Sequence, residues 1–431
     1  MSLEYLFLIQ NKMSIITTKI EIPQILVTIL TKLQEHGYRP YLVGGCVRDF
    51  FLNKQIKDFD VEVFDLDNLQ NIIPILEQFG SVNSVGKSFG VLKLSTKEFD
   101  FDFSLPRTEQ KTGKTHRDFL VKTDSKLSYK DAARRRDFTI NAIYYDYFSK
   151  TFIDPFNGIN DLDNKIIKHI DDKTFVEDSL RVYRAIGFSS RFNFEIDSKT
   201  KDLCFKIIES KELNFLPKER VFEELKKIFL KSPKPSVGLK LIDFFGIFSI
   251  NFERSYEYID NLSNILKNED FSDFRKLYLF FATLLRHKEE AKILEFLENI
   301  TNDKKFIKSI LLLCKNSLSF DEKNLKKLSL ILCLQDLILV EKASNKSDIL
   351  KIENLVKKLE IYDKPIKIYV CGKDLINLGF QESIEFKEIL QFAFDLQIEK
   401  DLNKEQIIEK IIKLKVSKVK NLYSITYYNI S

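Results

Sequence analysis

Asp58 and Asp60 stand two residues apart in "DFDVEVF", and Asp100 and Asp102 repeat the spacing in "EFDFDFSL". Residues i and i+2 of a strand project to one face, so each pair sits side by side, roughly 6–7 Å apart along the strand. Like charges that close repel unless a cation lies between them. A hard divalent cation with oxygen ligands meets that need, and Mg²⁺ is the common one where phosphates are handled. Phe99, Phe101 and Phe103 would face the other side, into a core. A lone pair of this kind also resembles the solvated face of a half-buried strand, so the surroundings decide. Gly44-Gly45 ends the apolar run "YLV". A glycine turn from strand to helix lets backbone N–H groups approach a phosphate, and a helix N-terminus favours anions. Arg48 is one helical turn on, where its guanidinium could reach a phosphate oxygen. A phosphate cradle beside a metal-binding pair is the layout of a phosphoryl- or nucleotidyl-transfer site.

These residues need elements to hold them. "RPYLVGG" reads as a buried strand ending in a turn, and Cys46 to Leu52 as the start of a helix. "DFDVEVF" alternates with period two, a strand signal. "VLKLS" and "EFDFDFSL" read as two strands joined by a tight turn at Thr96 and Lys97. Arg107 to Ser128 is polar, rich in Lys and Thr, and reads as a long mobile loop, a length usually functional or disordered. "DFTINAIYYDYF" returns to strand character. Beyond Asp154 to Asn164, Leu, Ile and Phe recur at helical spacing almost to the end, with a Pro-rich break at Lys231 to Gly238 and another near "YDKPIKIYVCGKD".

The chain has 431 residues, 44% hydrophobic and 30% charged, with a formal net charge of +5. That length implies two to four domains, and the charge is a modest lean toward anionic partners. No apolar run reaches the ~18 residues needed to span a bilayer. The N-terminal stretch lacks the basic region and cleavage site of a signal peptide, and Met13 is a second possible start. Five scattered cysteines without a CxxC fit free thiols in a cytoplasmic protein and argue against zinc. His36, His116 and His169 are isolated and read as surface or polar-core residues.

Taken together, the motifs resemble a known family. "LVGGCVRDFFLNKQIKDFDVEVF" is similar to the first signature of class II tRNA nucleotidyltransferases (CCA-adding enzymes) and bacterial poly(A) polymerases, members of the DNA polymerase β-like superfamily. "RRRDFTINAIYYD" resembles their second signature, "EDSLRVYRAIGFSSRF" their nucleotide-selecting helix and "KERVFEELKKIF" their neck motif. "CGKDLINLGF" with "LQIEKDLNKEQIIEKI" resembles the tail of CCA-adding enzymes. The resemblance implies an α+β fold: a polymerase β-like head with a small mixed sheet, then an all-α neck, body and tail. The expected divisions are an N-terminal extension over 1–22, the head over 23–160, the neck over 161–235, the body over 236–360 and a tRNA-binding tail over 361–431.

It also implies an activity: addition of CCA to tRNA 3′ ends from CTP and ATP with Mg²⁺, with no membrane or protein partner called for. A poly(A) polymerase, a CC- or A-adding enzyme, and a catalytically silent RNA-binding protein are the alternatives. Asp58 and Asp60 would hold the metal, and Asp102 would be the third carboxylate, with Asp100 in reserve. Gly44, Gly45 and Arg48 would contact the triphosphate, and Arg136 and Asp137 the sugar and phosphates. Asp178 and Arg181 would read the base, supported by Arg184. An Asp acceptor beside an Arg donor complements the amino group and ring nitrogen shared by cytosine and adenine, whereas uracil and guanine would leave buried polar groups unpaired, at about 1–3 kcal/mol each. Asp178 and Arg181, at i and i+3 of a helix, could equally form an intrahelical ion pair. The resemblance gives the loop over 107–128 a part in switching from C to A. Three positions depart from the family pattern: Asn53 where Gly is common, Gly187 where a third Arg is common, and Gln381 to Ser383 in place of Pro-Gly-Pro. "LLRHKEE" lacks an HD dyad, so no phosphohydrolase domain is expected.

Overall fold

The structure, a computed structural model, describes residues 19–84, 90–111, 119–381 and 384–413. The chain divides into two compact units, the first running to Glu253 and taking in Asn299–Thr301, the second covering Arg254–Glu298 and the residues from Asn302 on.

The first unit opens with helix α1 (Gln24–Glu35), whose Leu26, Ile29, Leu30 and Leu33 form one buried stripe. Strand β1 (Arg39–Val43) follows, then α2 (Gly45–Phe51) and β2 (Phe59–Phe64). After the short α3 (Ile73–Leu76) come β3 (Ser81–Ser84), β4 (Val91–Ser95) and β5 (Asp100–Ser104). With β8 (Tyr144–Asp146) and β9 (Thr151–Ile153) these make a seven-stranded sheet in the order β3-β4-β5-β2-β1-β8-β9. The sheet is mixed: β2 runs parallel to β5, while its other neighbour β1 is antiparallel. Period-two alternation explains the layering. Leu42, Val61, Phe103 and Leu92 are register partners across four strands and all are buried. Each phenylalanine so buried stabilises by about 1.5–3 kcal/mol. On the opposite face β2 grades from solvent to core: Asp58 just before it is exposed, Asp60 is half-buried, and Glu62 and Phe64 are fully buried. Phe64 joins Tyr41, Val43, Ala132, Ala133 and Tyr144 in a second small core on this face.

Two expectations change. Arg107 to Ser128 is not a loop throughout: β6 (Arg107–Lys111) pairs antiparallel with β7 (Phe119–Thr123) as a two-stranded ribbon, and Ser128 caps α4 (Tyr129–Arg134) by accepting from the Asp131 N–H. The described side chains of this ribbon are exposed or half-buried, so it needs no apolar alternation and gives no strand signal. Residues 112–118 lie outside the described residues, as do His116, the extension before residue 19 with Met13, Ser383 within the 381–383 departure, and part of the stretch over 81–95. In "DFTINAIYYDYF" only Tyr144–Asp146 is strand; Thr139–Asn141 is a turn of 3₁₀-helix, held because the Asp137 carboxylate accepts from both the Phe138 N–H and Asn141 Nδ2.

The neck follows α5 (Gly158–Asp163) and the short strand β10 (Ile166–Ile167). It comprises α6 (Asp172–Glu177), α7 (Arg181–Phe192), strand β11 (Glu195–Ile196), α8 (Ser198–Glu209), α9 (Lys218–Lys231) and α10 (Ser236–Phe245). The Pro-rich break at 231–238 is a turn within this unit: a Cβ on Gly238 of α10 would meet Ile228 Cγ2 at 2.8 Å and Ser190 Oγ at 3.0 Å, so α10 packs directly on α9 and α7. The boundary between units falls at Glu253, later than the expected neck–body division.

The described elements of the second unit are helices, from Tyr256–Leu266 to Ile384–Lys400. Val370, Leu375, Ala393, Leu396, Ile407 and Ile411 form its last core cluster. Among the described residues no helix is long and apolar enough to cross a membrane.

Candidate active site

The parallel pairing of β2 with β5 decides how the carboxylates meet. Asp60 and Asp102 are register partners, so they stand side by side on one face of adjacent strands. Asp102 in turn faces Lys93 across β4, while Asp60 faces Val43 across β1. Asp100 lies one pair further out, exposed, its carboxylate 2.8 Å from Lys93 Nζ. That salt bridge holds its pKa below the ordinary carboxylate value. Asp60 and Asp102 go the other way. Burial raises both; Asp102 and Asp58 push Asp60 further up against the pull of Arg136 and Arg48, and Asp100 and Asp58 push Asp102 further up against Lys93. The chain has thus placed two half-buried acids together without a full counter-charge. Of the two, Asp102 stands beside Asp60 and Asp100 does not.

Gly44 makes the close approach possible. Its φ of 77° is a conformation that L side chains rarely adopt, and it precedes α2 as the N-cap. A Cβ here would stand 3.2 Å from Asp60 Oδ2 and 3.3 Å from Arg136 Nη1. Asn53, where the family often has glycine, keeps the turn after α2: its φ is 50°, and asparagine tolerates the left-handed region.

Opposite the acids lies a basic wall. Arg48 is buried; its Nη1 donates to Asn141 Oδ1 at 2.6 Å, its Nη2 pairs with Asp49 at 2.7 Å, and its guanidinium lies 4.9 Å from the Phe192 ring centroid and 5.3 Å from that of Phe188. Arg191 reaches toward Asp49 at 3.6 Å, and Lys54 sits 4.4 Å over the Phe192 ring. Burial lowers the pKa of Arg191 and of Lys54; Arg48 lowers Arg191 further, and Arg191 lowers Lys54 further. Cations that lower one another's pKa mark a site suited to a polyanion. Both sets of residues line one pocket of about 910 Å³, together with Arg184, Gly187 and Phe188 of α7 and Glu224, Lys227 and Lys231 of α9.

The second-signature residues support this arrangement from behind. Asp137 is buried; burial alone would raise its pKa, but Arg184, with Asn141 and Arg181, holds it at about 2. Arg184 Nε donates to Asp137 Oδ2 at 2.7 Å, and Arg136 Nη2 donates to Glu62 Oε2 at 2.7 Å. The buried Cys46 thiol, pushed up to about 12, is no nucleophile.

The expected base-reading pair lies outside the lining of that pocket. Asp178 stands before α7 in extended backbone, not on its helical face; its carboxylate accepts from the Leu180 N–H at 3.2 Å and lies 3.7 Å from the Arg220 guanidinium. Arg181 opens the helix, and its guanidinium donates to the carbonyls of Thr174 at 2.8 Å and Arg135 at 2.6 Å. The face of α7 that lines the pocket carries Arg184, Gly187, Phe188 and Arg191, spaced i, i+3, i+4, i+7. Sequence reasoning did not single out Arg191, Lys54, Glu224 or Lys227. That spacing was the available signal for Arg191; Lys54 lies in a loop and Lys227 on a charge-rich helix, where neither had one. Gly187 leaves open space, since a Cβ there would meet only Glu224 Oε2, at 3.9 Å.

Residues 40–168 match the poly A polymerase head domain, and residues 193–255 match a domain described as the probable RNA and SrmB-binding site of polymerase A. A Stenotrophomonas maltophilia protein named multifunctional CCA protein is 37% identical over 206 residues, 47% of this chain and 48% of that protein. One of the same name from Xylella fastidiosa is 39% identical over 193 residues, 44% of each chain. The chain thus spans about half the length of the curated relatives it matches. Among solved structures, the Bacillus stearothermophilus CCA-adding enzyme in complex with CTP superposes with a TM-score of 0.71 at 22% identity, over 92% of this chain and 98% of that one. The Thermotoga maritima CCA-adding enzyme complexed with tRNA superposes with a TM-score of 0.64 at 20% identity, over 91% and 96%. At these identities the structural likeness is one of fold, and it extends through the helical unit.

Proposed function

We propose that this chain, whose residues 40–168 match the poly A polymerase head domain, is a template-independent nucleotidyltransferase that adds C, C and A to the 3′ end of tRNA from CTP and ATP. The observation that carries the reading is the single pocket with an acidic wall at Asp58, Asp60 and Asp102 and a basic wall at Arg48, Lys54 and Arg191. A nucleoside triphosphate with its divalent cation fits between two such walls.

The acids suit Mg²⁺. Asp60 and Asp102 are paired in register and held above their ordinary pKa values, so a cation between them relieves the repulsion. Mg²⁺ is usually held by one or two carboxylates together with substrate phosphates. Asp58 and Asp60 would hold the metal, and Asp102 would receive the proton from the attacking 3′-hydroxyl. Bound Mg²⁺ would make that hydroxyl more acidic and stabilise the departing pyrophosphate oxygens.

The chain's own residues do the rest. Gly44 and Gly45 let the backbone approach the phosphates, and Arg48, fixed by Asn141, Asp49 and two phenylalanine rings, directs its charge at them. Arg184, held by Asp137, presents its edge on the pocket floor. Asp178 and Arg181 act as the base-reading pair from the start of α7, Asp178 from extended backbone, and Arg136 with Asp137 borders the sugar. The helical unit would grip tRNA through shape and backbone charge.

The test uses purified protein, Mg²⁺ and tRNA transcripts ending before CCA, after CC, and complete, with CTP, ATP or both, resolved to single nucleotides. CCA addition followed by a stop is the expected result. A long A ladder would make it a poly(A) polymerase, the alternative that the head-domain match favours. Arrest after CC, or growth only from CC, would mean a split-function enzyme, and no incorporation would refute the catalytic reading.

A further inference from the structure

Glu62 lies between the acidic wall and the core of the sheet, on the same face of β2 as Asp58 and Asp60. It is fully buried. A carboxylate withdrawn from water in this way is costly unless it is paired. Its Oε2 accepts from Arg136 Nη2 at 2.7 Å, and the Arg135 guanidinium lies 3.9 Å away. Its Oε1 accepts no hydrogen bond among the described residues. A surface glutamate holding an arginine would need none of this burial.

The other end of the same guanidinium points at the reaction site. Arg136 Nη1 and Asp60 Oδ2 crowd the space above Gly44, 3.3 and 3.2 Å from where a Cβ would stand. Arg136 therefore has two carboxylate neighbours two residues apart on one strand: Glu62 holds one edge, and Asp60 faces the other. The Tyr144 ring, 6.0 Å away, lies alongside.

We propose that Glu62 is a positioning residue for divalent-metal binding: by fixing Arg136 and neutralising part of the Arg135–Arg136 charge, it orients the Asp60 carboxylate and keeps its surroundings receptive to a cation. The inference rests on the metal-dependent reading of the pocket. Without the Glu62 charge, the net positive charge beside the metal-binding acids would rise, and Arg136 would lose the contact that holds it off Asp60. Both effects compete with a bound cation. Loss of a group that orients a metal ligand from behind typically weakens metal affinity about 10–100-fold.

The test measures Mn²⁺ binding to the full-length chain by electron paramagnetic resonance, in wild type, Asp60→Asn, Glu62→Gln, Glu62→Asp and the double variant Glu62→Gln/Arg136→Gln. Circular dichroism checks that each is folded. The expected result is saturable binding in wild type that Asp60→Asn abolishes and Glu62→Gln weakens about 10–100-fold. The double variant should regain most of the loss, because it removes the uncompensated charge together with its partner. If Glu62→Gln does not fold, Glu62→Asp carries the test, since it keeps the charge but withdraws it from Arg136; an intermediate weakening is expected. Wild-type affinity in Glu62→Gln, or in Glu62→Asp if only that variant folds, overturns the role of Glu62 alone, as does a double variant no tighter than the single one. Binding that is absent in wild type, or unaffected by Asp60→Asn, overturns the metal reading and this inference with it.

Discussion

Asp100→Asn and Asp102→Asn change two acids only two residues apart, yet they should have opposite consequences. Register partners on adjacent strands lie about 4.8 Å apart. Two carboxylates at that spacing repel by about 3 kcal/mol at an effective dielectric of ~20, which half-exposure and salt reduce to about 1–2 kcal/mol. The structure puts Asp102 in that position against Asp60, and puts Asp100 in a salt bridge with Lys93 at the surface. In EDTA, Asp102→Asn should therefore melt higher than wild type, by about 2–8 °C for a unit of this size. Asp100→Asn should melt within about 2 °C of wild type, as for a surface ion pair. Adding Mg²⁺ should raise the wild-type melting temperature and raise that of Asp102→Asn less, because a ligand stabilises only what it binds. Nucleotide incorporation should be lost in Asp102→Asn and retained in Asp100→Asn. The pH dependence follows the same sign. Asp60 and Asp102 have raised pKa values, so their contribution to metal-free stability is fully present below the ordinary carboxylate value. It is lost as pH rises through the raised value. Asp102→Asn should flatten that decline. An Asp102→Asn protein that melts no higher in EDTA and still incorporates nucleotide, while Asp100→Asn does not, would refute the register argument.

Three further outcomes can be checked directly. Asp137, held at about 2 against an ordinary 3.8, contributes about 2 kcal/mol above pH 4 that disappears as pH falls toward 2; Asp137→Asn should lower the urea midpoint at pH 7 and remove the acid-side slope. Lys54→Ala and Arg191→Ala each remove a cation from the basic wall, so KM for CTP and ATP should rise about 5–30-fold with a smaller change in kcat, as for lost binding of a charged group at about 1–2 kcal/mol. Gly44→Ala sets a methyl group against Asp60 and Arg136 in strained backbone; steady-state assays should show kcat falling at least about tenfold, since small displacements of reacting groups are costly, and a kcat near wild type would show that the turn is not what places Asp60.

The acid-bearing part of the sheet was legible because β4 and β5 alternate strictly. Phe101, Phe103 and Val61 declare the core face, and that leaves Asp60 and Asp102 on the other. What the residues could not disclose is which strands are neighbours. β2 and β5 pair in parallel across some forty residues of sequence, and only that pairing brings Asp102, rather than Asp100, against Asp60. The ribbon strands Arg107–Lys111 and Phe119–Thr123 escaped because their described side chains are exposed or half-buried and give no alternating signal. The start of α7 was placed too early for a similar reason: Asp178 serves the helix from outside, as its polar side chain bonds the backbone two residues on. The basic wall was half visible. Arg48 sits in a motif, but Lys54 and Arg191 are ordinary surface types that only the fold sets over the Phe192 ring.

The grading of β2 from Asp58 to Phe64 has a further consequence for how this sheet assembles. Side chains alternate with period two, so a shift of β2 by one residue against β5 would turn Asp60 into the hydrocarbon layer and Val61 out of it, and a shift of β5 would do the same to Asp102 and Phe103. Burying unpaired carboxylates costs several kcal/mol each. Misaligned pairings are thereby penalised by the same side chains that the reaction requires. A variant that replaces those acids with apolar residues should lose more than chemistry: it would lose the strongest constraint on strand alignment in the head, and its folding fidelity would decline along with its activity.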